Sequence, residues 1–183
     1  NPGFPHFSIV SSQITQNGGN YDVTVYIKQK LTGAPAYYNN VPLEITFKDA
    51  GWNEQTEKVT VSGPTSSFIF TLPFSPVFTA LNMEGKISDA ISSEVKTINS
   101  TGSYTFANAR MNVNVSAITD SAFIRIEHNW TAPDPIATTT IYRLSPNRYW
   151  KIDGILPAGF SASAQVFYDG KESGSSYLDH LLI

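Results

Sequence analysis

The amino-acid sequence predicts an all-β fold, and three features of the chain carry that prediction. Apolar and polar residues alternate with a period of two in several short segments, as they do in half-buried strands. Glycine, proline and asparagine separate these segments where the chain would turn. No window of about 12 or more residues shows the 3.6-residue apolar period of a helix, and only residues 85–90 suggest one short helical turn.

Each predicted strand is justified by its own alternation. In residues 41–48, for example, Val41, Leu43, Ile45 and Phe47 fall on one face and polar residues on the other. The same pattern, with many β-branched and aromatic side chains, predicts strands over residues 21–30, 57–61, 66–72, 111–117, 122–127 and 162–168.

Turn signals connect these strands. The sequences Asn17-Gly18-Gly19-Asn20 and Asp169-Gly170-Lys171 predict hairpins, and Ser62-Gly63-Pro64 separates two further strands. Residues 129–147 contain three prolines and predict one long loop that is ordered in part.

The chain length allows one domain or two small ones, and the turn signals favour two. A turn-rich segment at residues 98–102 divides the chain into residues 1–98 and 99–183, and each part has enough strands for a small β-sandwich. We therefore expect two antiparallel, immunoglobulin-like sandwiches in tandem, with one large sandwich as the alternative.

Composition excludes some classes of function. The net charge of −3 without a basic stripe argues against nucleic-acid binding, and no apolar run is long enough for a membrane span. There is no cysteine, so disulfides and thiolate chemistry are absent. Low charge with abundant Ser, Thr, Asn and Tyr favours an extracytoplasmic protein, and we expect the chain to be a fragment or mature piece of a longer one.

No catalytic, metal or cofactor site is predicted. The three histidines, His6, His128 and His180, are far apart and form no His-Glu-x-x-His motif. Gly174-Ser175-Ser176 lacks the Gly-x-Ser-x-Gly pattern of a nucleophile turn.

The acidic residues do not suggest catalysis either. Glu127, Asp134 and Asp153 lie on predicted loops and strand ends, and no motif pairs them as glycosidase carboxylates. We expect this chain not to be an enzyme.

One polar-aromatic patch is the strongest candidate for a ligand site or an interface. It consists of Trp130, Arg148, Tyr149, Trp150 and Asp153, which flank the long loop. Exposed indole rings beside polar groups would form a carbohydrate platform. The favoured alternative is packing, in which both Trp rings hold the loop and Arg148 pairs with Asp134 or Asp153.

A second candidate surface is apolar. Trp52, at a predicted hairpin tip, suits two roles equally: half-buried cover on its own sandwich, or, together with Phe74 and Phe78, a contact surface for another domain. In the isolated chain these residues should appear as an exposed apolar patch.

The first half of the chain resembles a known module. Gly3-Phe4-Pro5, residues 40–45, residues 57–61 and residues 67–73 resemble the β-sandwich that follows the catalytic domain in zinc aminopeptidases of the aminopeptidase N family.

The second half resembles the region after that sandwich in secreted aminopeptidase-like proteins of Bacteroidetes-type bacteria. The motifs are residues 124–130, Ala132-Pro133-Asp134-Pro135 and residues 147–154. The family's zinc and substrate motifs are absent, so the resemblance implies no catalytic residue here. It implies a non-catalytic accessory module that packs on or positions a catalytic domain of the same parent chain. The alternative function is a carbohydrate- or surface-binding module.

Overall fold

The computed structural model describes residues 3–135 and 145–167, and within them the fold is all-β. The strands form four antiparallel three-stranded sheets, with the orders β1-β2-β5, β4-β3-β6, β11-β10-β7 and β12-β9-β8. Their bounds are β1 Phe4–Asn17, β2 Asn20–Thr32, β3 Val41–Lys48, β4 Glu54–Val61, β5 Thr65–Leu72, β6 Phe78–Leu81, β7 Ile91–Ile98, β8 Gly102–Phe106, β9 Met111–Ala117, β10 Ala122–Asn129, β11 Tyr149–Ile155 and β12 Ser161–Val166.

The first two sheets face each other across one apolar core, and together they are called the first sandwich. Alternation directs every second side chain of β2 and β3 into this core. The buried core residues are Phe7, Val23, Val25, Ile27, Leu43, Ile45, Phe47, Val59, Val61, Leu72 and Leu81. The predicted faces of residues 21–30 and 41–48 are therefore confirmed.

The long β1–β2 hairpin closes at the predicted turn. Asn17 pairs with Asn20, and Gly18 has a φ of 61°, which glycine adopts without steric cost. The register shifts between Ile9 and Ser11, so β1 is bent where it leaves the core. The short helix suggested for residues 85–90 is wrong, because this segment is irregular. The Gly85 N–H closes a turn on the Asn82 carbonyl at 2.9 Å.

The other two sheets enclose a second core and are called the second sandwich. Its core consists of Ile98, Phe106, Ala109, Met111, Val113, Val115, Ala122, Ile124 and Ile126. The strand predicted over residues 111–117 coincides with β9. The predicted hairpin at residues 169–171 and the middle of the long loop, residues 136–144, lie outside the described residues.

The sheets divide earlier in the chain than the boundary predicted after residue 98. β7 pairs with β10 along its whole length, from Ile91–Asn129 to Ile98–Ala122, and so contributes to the second sandwich. The chain passes between the sandwiches in residues 82–90. The order β1-β2-β5 opposite β4-β3-β6 can be laid over the immunoglobulin strands A-B-E opposite C′-C-F. The immunoglobulin-like assignment and the independence of the two domains stay predictions.

β10 differs from the half-buried strand that its sequence predicts. The predicted core face is confirmed by Ile124 and Ile126, but Phe123 and Arg125 on the opposite face are buried as well. They are buried because that face packs against the first sandwich. No helix in the described part of the chain has the length and apolarity needed to cross a membrane.

Candidate functional site

The candidate site is the contact between the two sandwiches, called the junction. It forms where the outer face of the β7-β10-β11 sheet meets β1, β6 and the β3–β4 turn. Phe123, Arg125 and Asn129 of β10 all contribute to it, because alternation places them on this face. The junction has an apolar end and a polar end, joined by the segment that links the sandwiches.

The apolar end is a cluster of aromatic rings. Phe123 meets Phe78 edge-on at 5.1 Å between centroids and Trp52 at 6.0 Å. The Lys48 ammonium lies 5.0 Å from the Phe123 centroid. Trp52 can reach Phe123 because it sits in the β3–β4 turn with a φ of 69°, a conformation unusual for a bulky residue.

The predicted contact residues are thus divided between two places. Trp52 and Phe78 touch the other sandwich of this same chain, while Phe74 packs against the first core. The expectation that they form an exposed apolar patch is wrong, because Phe78 is buried and the other two are half-buried. Phe123, which contacts Trp52 and Phe78, is not among the predicted residues, although a phenylalanine at an outward strand position was an available signal.

The polar end is centred on His6, which is fully buried. Its Nε2 lies 2.8 Å from Asn129 Oδ1 and 3.5 Å from the Tyr149 hydroxyl. Because a side-chain amide oxygen only accepts, Nε2 carries the hydrogen and donates it to Asn129. Within the described residues, His6 Nδ1 has no hydrogen-bond partner.

Burial governs the ionisation of this end. It lowers the pKa of His6, an effect that the Asn129 hydrogen bond opposes and the nearby Lys30 ammonium reinforces. Burial also raises the pKa of Tyr149 to about 12, with help from the Glu127 and Asp134 carboxylates. Near neutral pH both side chains are therefore uncharged.

Two lysines of β2 reach across the junction beside His6. Lys28 Nζ and Lys30 Nζ lie 2.8 Å and 2.9 Å from Asp134 Oδ1, and Lys30 also donates to the Ala132 carbonyl at 2.9 Å. Hydrogen bonds from the two lysines hold the pKa of Asp134 below its usual range. The start of the long loop is thereby fastened to the first sandwich.

The segment between the sandwiches is held at both of its ends. Arg125 Nη2 donates to the Leu81 carbonyl at 2.9 Å, while Nη1 pairs with Glu127. At the other end, the Ala90 N–H donates to the Pro5 carbonyl at 2.8 Å and the Ala90 carbonyl accepts from the Trp130 N–H at 2.9 Å.

A buried carboxyl lies in the same segment. Burial raises the pKa of Asp89 to about 6, although Asn82 and the Ile91 backbone donate to it. Asp89 and Arg125 line an open cavity of about 480 Å³ beside the junction, and Arg125 also lines a second cavity of about 200 Å³ next to Tyr149.

On the opposite face of β10, three rings extend the second core. His128 stacks on Trp150 at 4.4 Å and an interplanar angle of 7°, and contacts Trp130 at 4.0 Å. The indole N–H of Trp130 donates to Ser92 Oγ at 3.0 Å, and that of Trp150 donates to the Ala109 carbonyl at 2.8 Å.

His128 is fully buried, and neither ring nitrogen meets a hydrogen-bond partner in the described part of the chain. Burial lowers its pKa to about 4, assisted by the positive charges of Arg148 and Arg110. Both guanidinium groups lie over the Trp130 ring, at 5.7 Å and 5.2 Å. Asp134 and Asp153, the partners predicted for Arg148, pair instead with lysines, and Arg148 contacts the Trp130 ring.

The predicted polar-aromatic patch does not form one surface. Trp130 and Trp150 share the core face of their sheet, whereas Tyr149 lies on the junction face beside His6. Asp153 pairs with Lys151 at 3.1 Å. Both Trp rings are half-buried.

The candidate carboxylates are also separated. Glu127 pairs with Arg125, Asp134 with the two lysines, and Asp153 with Lys151. Among residues 3–135 and 145–167, no group of three or more His, Cys, Asp or Glu side chains could hold a metal ion. His180 lies outside the described residues.

Comparison with known proteins adds no relative: no family model, no curated protein and no solved structure matches this chain.

Proposed function

We propose that this chain is a non-catalytic structural module of a larger extracytoplasmic protein, and that it holds neighbouring domains at a set angle. The observation that carries the proposal is the burial of β10 on both faces, between its own core and the first sandwich. A strand shared in this way couples the orientation of one sandwich to the packing of the other. By the sequence resemblance, the proposed parent is a zinc aminopeptidase-like protein.

The junction supports rigidity by combining different kinds of contact. Domains of one chain move relative to each other unless their interface is large and hydrophobic. Here the rings of Trp52, Phe78 and Phe123 interlock at one end, and the His6–Asn129 hydrogen bond lies at the other. Tilting one sandwich against the other would break the contacts at one end of the junction or at both.

The state of the charged groups also supports a structural role. A general acid or base must be able to reach a substrate proton. Glu127 is engaged with Arg125, and Asp134 receives two lysines. Both carboxylates are thereby engaged as acceptors by side chains of this chain, which is the arrangement expected of a spacer.

The alternative, carbohydrate binding through Trp130 and Trp150, has less support. A sugar platform needs accessible ring faces. His128 stacks on Trp150 and lies against Trp130, and both indole N–H groups already donate to protein oxygens. The geometry therefore favours packing for both rings.

The proposal is tested first by the orientation of the sandwiches. The chain has no cysteine, so Thr15→Cys and Ser163→Cys, both at exposed positions, allow one spin label on each sandwich. At pH 7.5, double electron–electron resonance should give one narrow distance distribution. A broad distribution would contradict a rigid spacer.

The parent is tested on the native protein. We would capture it from its source with an antibody raised against this chain, then measure intact mass, bound zinc and aminopeptidase activity together. A much larger, zinc-loaded and active species is expected. A species of about 20 kDa without zinc would refute the aminopeptidase assignment and make glycan binding through the two Trp residues the next test.

A further inference from the structure

We propose that His6 makes the junction an acid-sensitive joint: when His6 takes up a proton, the polar end opens while the Trp52–Phe78–Phe123 end stays closed. This inference rests on the proposed function, because it describes how the set angle between the sandwiches would be released.

The hydrogen bonding of His6 supplies the first step. A neutral imidazole has one N–H to satisfy, and Asn129 Oδ1 accepts it at 2.8 Å. An imidazolium has two N–H groups and needs an acceptor for each. Nδ1 is buried, and the described residues offer it none. Protonation in the closed junction therefore leaves a charged donor unpaired, whereas opening gives it water.

The charged groups around His6 do not compensate for that proton. Lys30, opposite His6 on β2, repels it. Glu127 on β10 and Asp134 after β10 attract it, but Glu127 is paired with Arg125 and Asp134 with Lys28 and Lys30. Tyr149 on β11 is neutral below pH 10 because its pKa is about 12. Burial outweighs these influences and keeps the pKa of His6 below its usual value of 6.5.

The two ends of the junction respond differently to acid. At the apolar end, Trp52, Phe78 and Phe123 contact one another through rings that do not titrate. The lysine bridges to Asp134 survive mild acid because the pKa of that carboxyl is lowered, but they are partly exposed and hold weakly. The expected motion is therefore a tilt about the aromatic cluster.

Linkage fixes how steeply the joint should respond. One proton bound by the open form changes the ratio of open to closed junction by up to tenfold per pH unit. As the pH falls, the ratio begins to change near pH 6.5, the ordinary pKa of an exposed histidine. It stops changing below the pKa of His6 in the closed junction, which is lower. Below that pKa both forms are protonated, and the ratio no longer changes.

The experiment uses the full chain with spin labels at Thr15→Cys and Ser163→Cys, titrated from pH 7.5 to pH 4.0. The expected result is a second, longer distance. The ratio of its population to that of the original distance should rise by up to tenfold for each unit by which the pH falls, while the far-UV circular dichroism stays unchanged. The matched control is His6→Gln, whose side-chain amide can still donate to Asn129 and does not titrate. In that variant the distance should not depend on pH. Should the glutamine broaden the distances at pH 7.5, His6→Phe serves as a second non-titrating variant: loss of the Asn129 hydrogen bond should change its distances at pH 7.5, but they should still not vary with pH.

The outcomes separate this inference from the proposed function. A single narrow distance from pH 7.5 to pH 4.0 would overturn the acid-sensitive joint and leave the rigid spacer intact. Opening with the same slope in the His6 variants, or opening only together with loss of strand signal, would also overturn it. A junction already mobile at pH 7.5 would refute the proposed function itself.

Discussion

Replacing Phe123 by alanine should uncouple the two sandwiches. Phe123 is 5% exposed and lies on the outer face of its sheet, so its ring serves the junction rather than the second core. Phenylalanine-to-alanine changes at buried sites cost about 3–5 kcal/mol. The edge-on contact with Phe78 and the Lys48 ammonium each add a fraction of this. We expect a loss of about 4 kcal/mol in the free energy of unfolding.

The assay is urea unfolding, followed by tryptophan fluorescence and by far-UV circular dichroism. The wild-type chain should unfold in one transition that both probes report together, and Phe123→Ala should separate it into two. Ile69→Ala is the matched control, because Ile69 is 72% exposed and its loss should change stability by no more than about 0.5 kcal/mol. A cost below about 1 kcal/mol for Phe123→Ala, with the single transition retained, would refute the reasoning.

The reciprocal test is a double-mutant cycle with Phe78→Ala. Because the two rings share one contact at 5.1 Å, the double variant should lose about 1 kcal/mol less than the sum of the single losses. If the two losses were strictly additive, each ring would stabilise only its own sandwich. The inference that the two rings couple the sandwiches would then be refuted.

Three further perturbations test the buried groups around β10. Because the pKa of His128 is lowered to about 4, its neutral form stabilises the fold above pH 6.5. About 2–3 kcal/mol, after allowance for solvent screening, should be lost as the pH falls from 6.5 to 4. His128→Phe should flatten that part of the stability–pH curve measured by urea unfolding. Because the pKa of Asp89 is raised to about 6, its ionised form lowers the free energy of unfolding above pH 6. Asp89→Asn should therefore raise the free energy of unfolding by about 1–2 kcal/mol at pH 7.5, after allowance for solvent screening, and should not change it at pH 3.5. Trp130→Ala should cost about 3 kcal/mol, since the ring packs on His128 and donates to Ser92; an unchanged melting temperature with loss of glycan binding would favour the carbohydrate alternative.

Local sequence patterns predicted the strands whose environment is local. The β1–β2 hairpin and the core faces of β3 and β9 follow from alternation and from one Asn-Gly-Gly-Asn turn. Along most of their length these strands pack on one side, and there a period of two describes their surroundings. Beside the junction, Pro5–Phe7 of β1 and Ile45–Lys48 of β3 are buried on both faces.

The junction could not be predicted in the same way, because its contacts join distant parts of the chain. His6 and Asn129 are 123 residues apart, and no pairwise pattern connects them. Arg125 has the polarity of a solvent-facing residue on an alternating strand, yet it is 4% exposed. Its burial depends on Glu127, two positions along the same strand, and on the Leu81 carbonyl, which only the folded chain brings within reach.

β7 shows why the passage between the sheets was not apparent from the sequence. No strand was predicted over residues 82–98, and the turn-rich residues 98–102 formed the clearest break between alternating segments. β7 instead pairs with β10, and two strands, β8 and β9, lie between them in the chain. The crossing segment, residues 82–90, includes residues 85–90, for which the sequence suggests one short helical turn.

This topology explains why the joint between the sandwiches depends on side chains rather than on a flexible linker. Arg125 holds the Leu81 carbonyl where the crossing segment begins, and Pro5 and Trp130 hold Ala90 where it ends. Lengthening the segment would leave those anchors and the aromatic cluster in place, so the angle should persist. Removing the His6 hydrogen bond or the Phe123 ring should change the angle while the linker stays intact, which makes the junction itself the determinant of orientation.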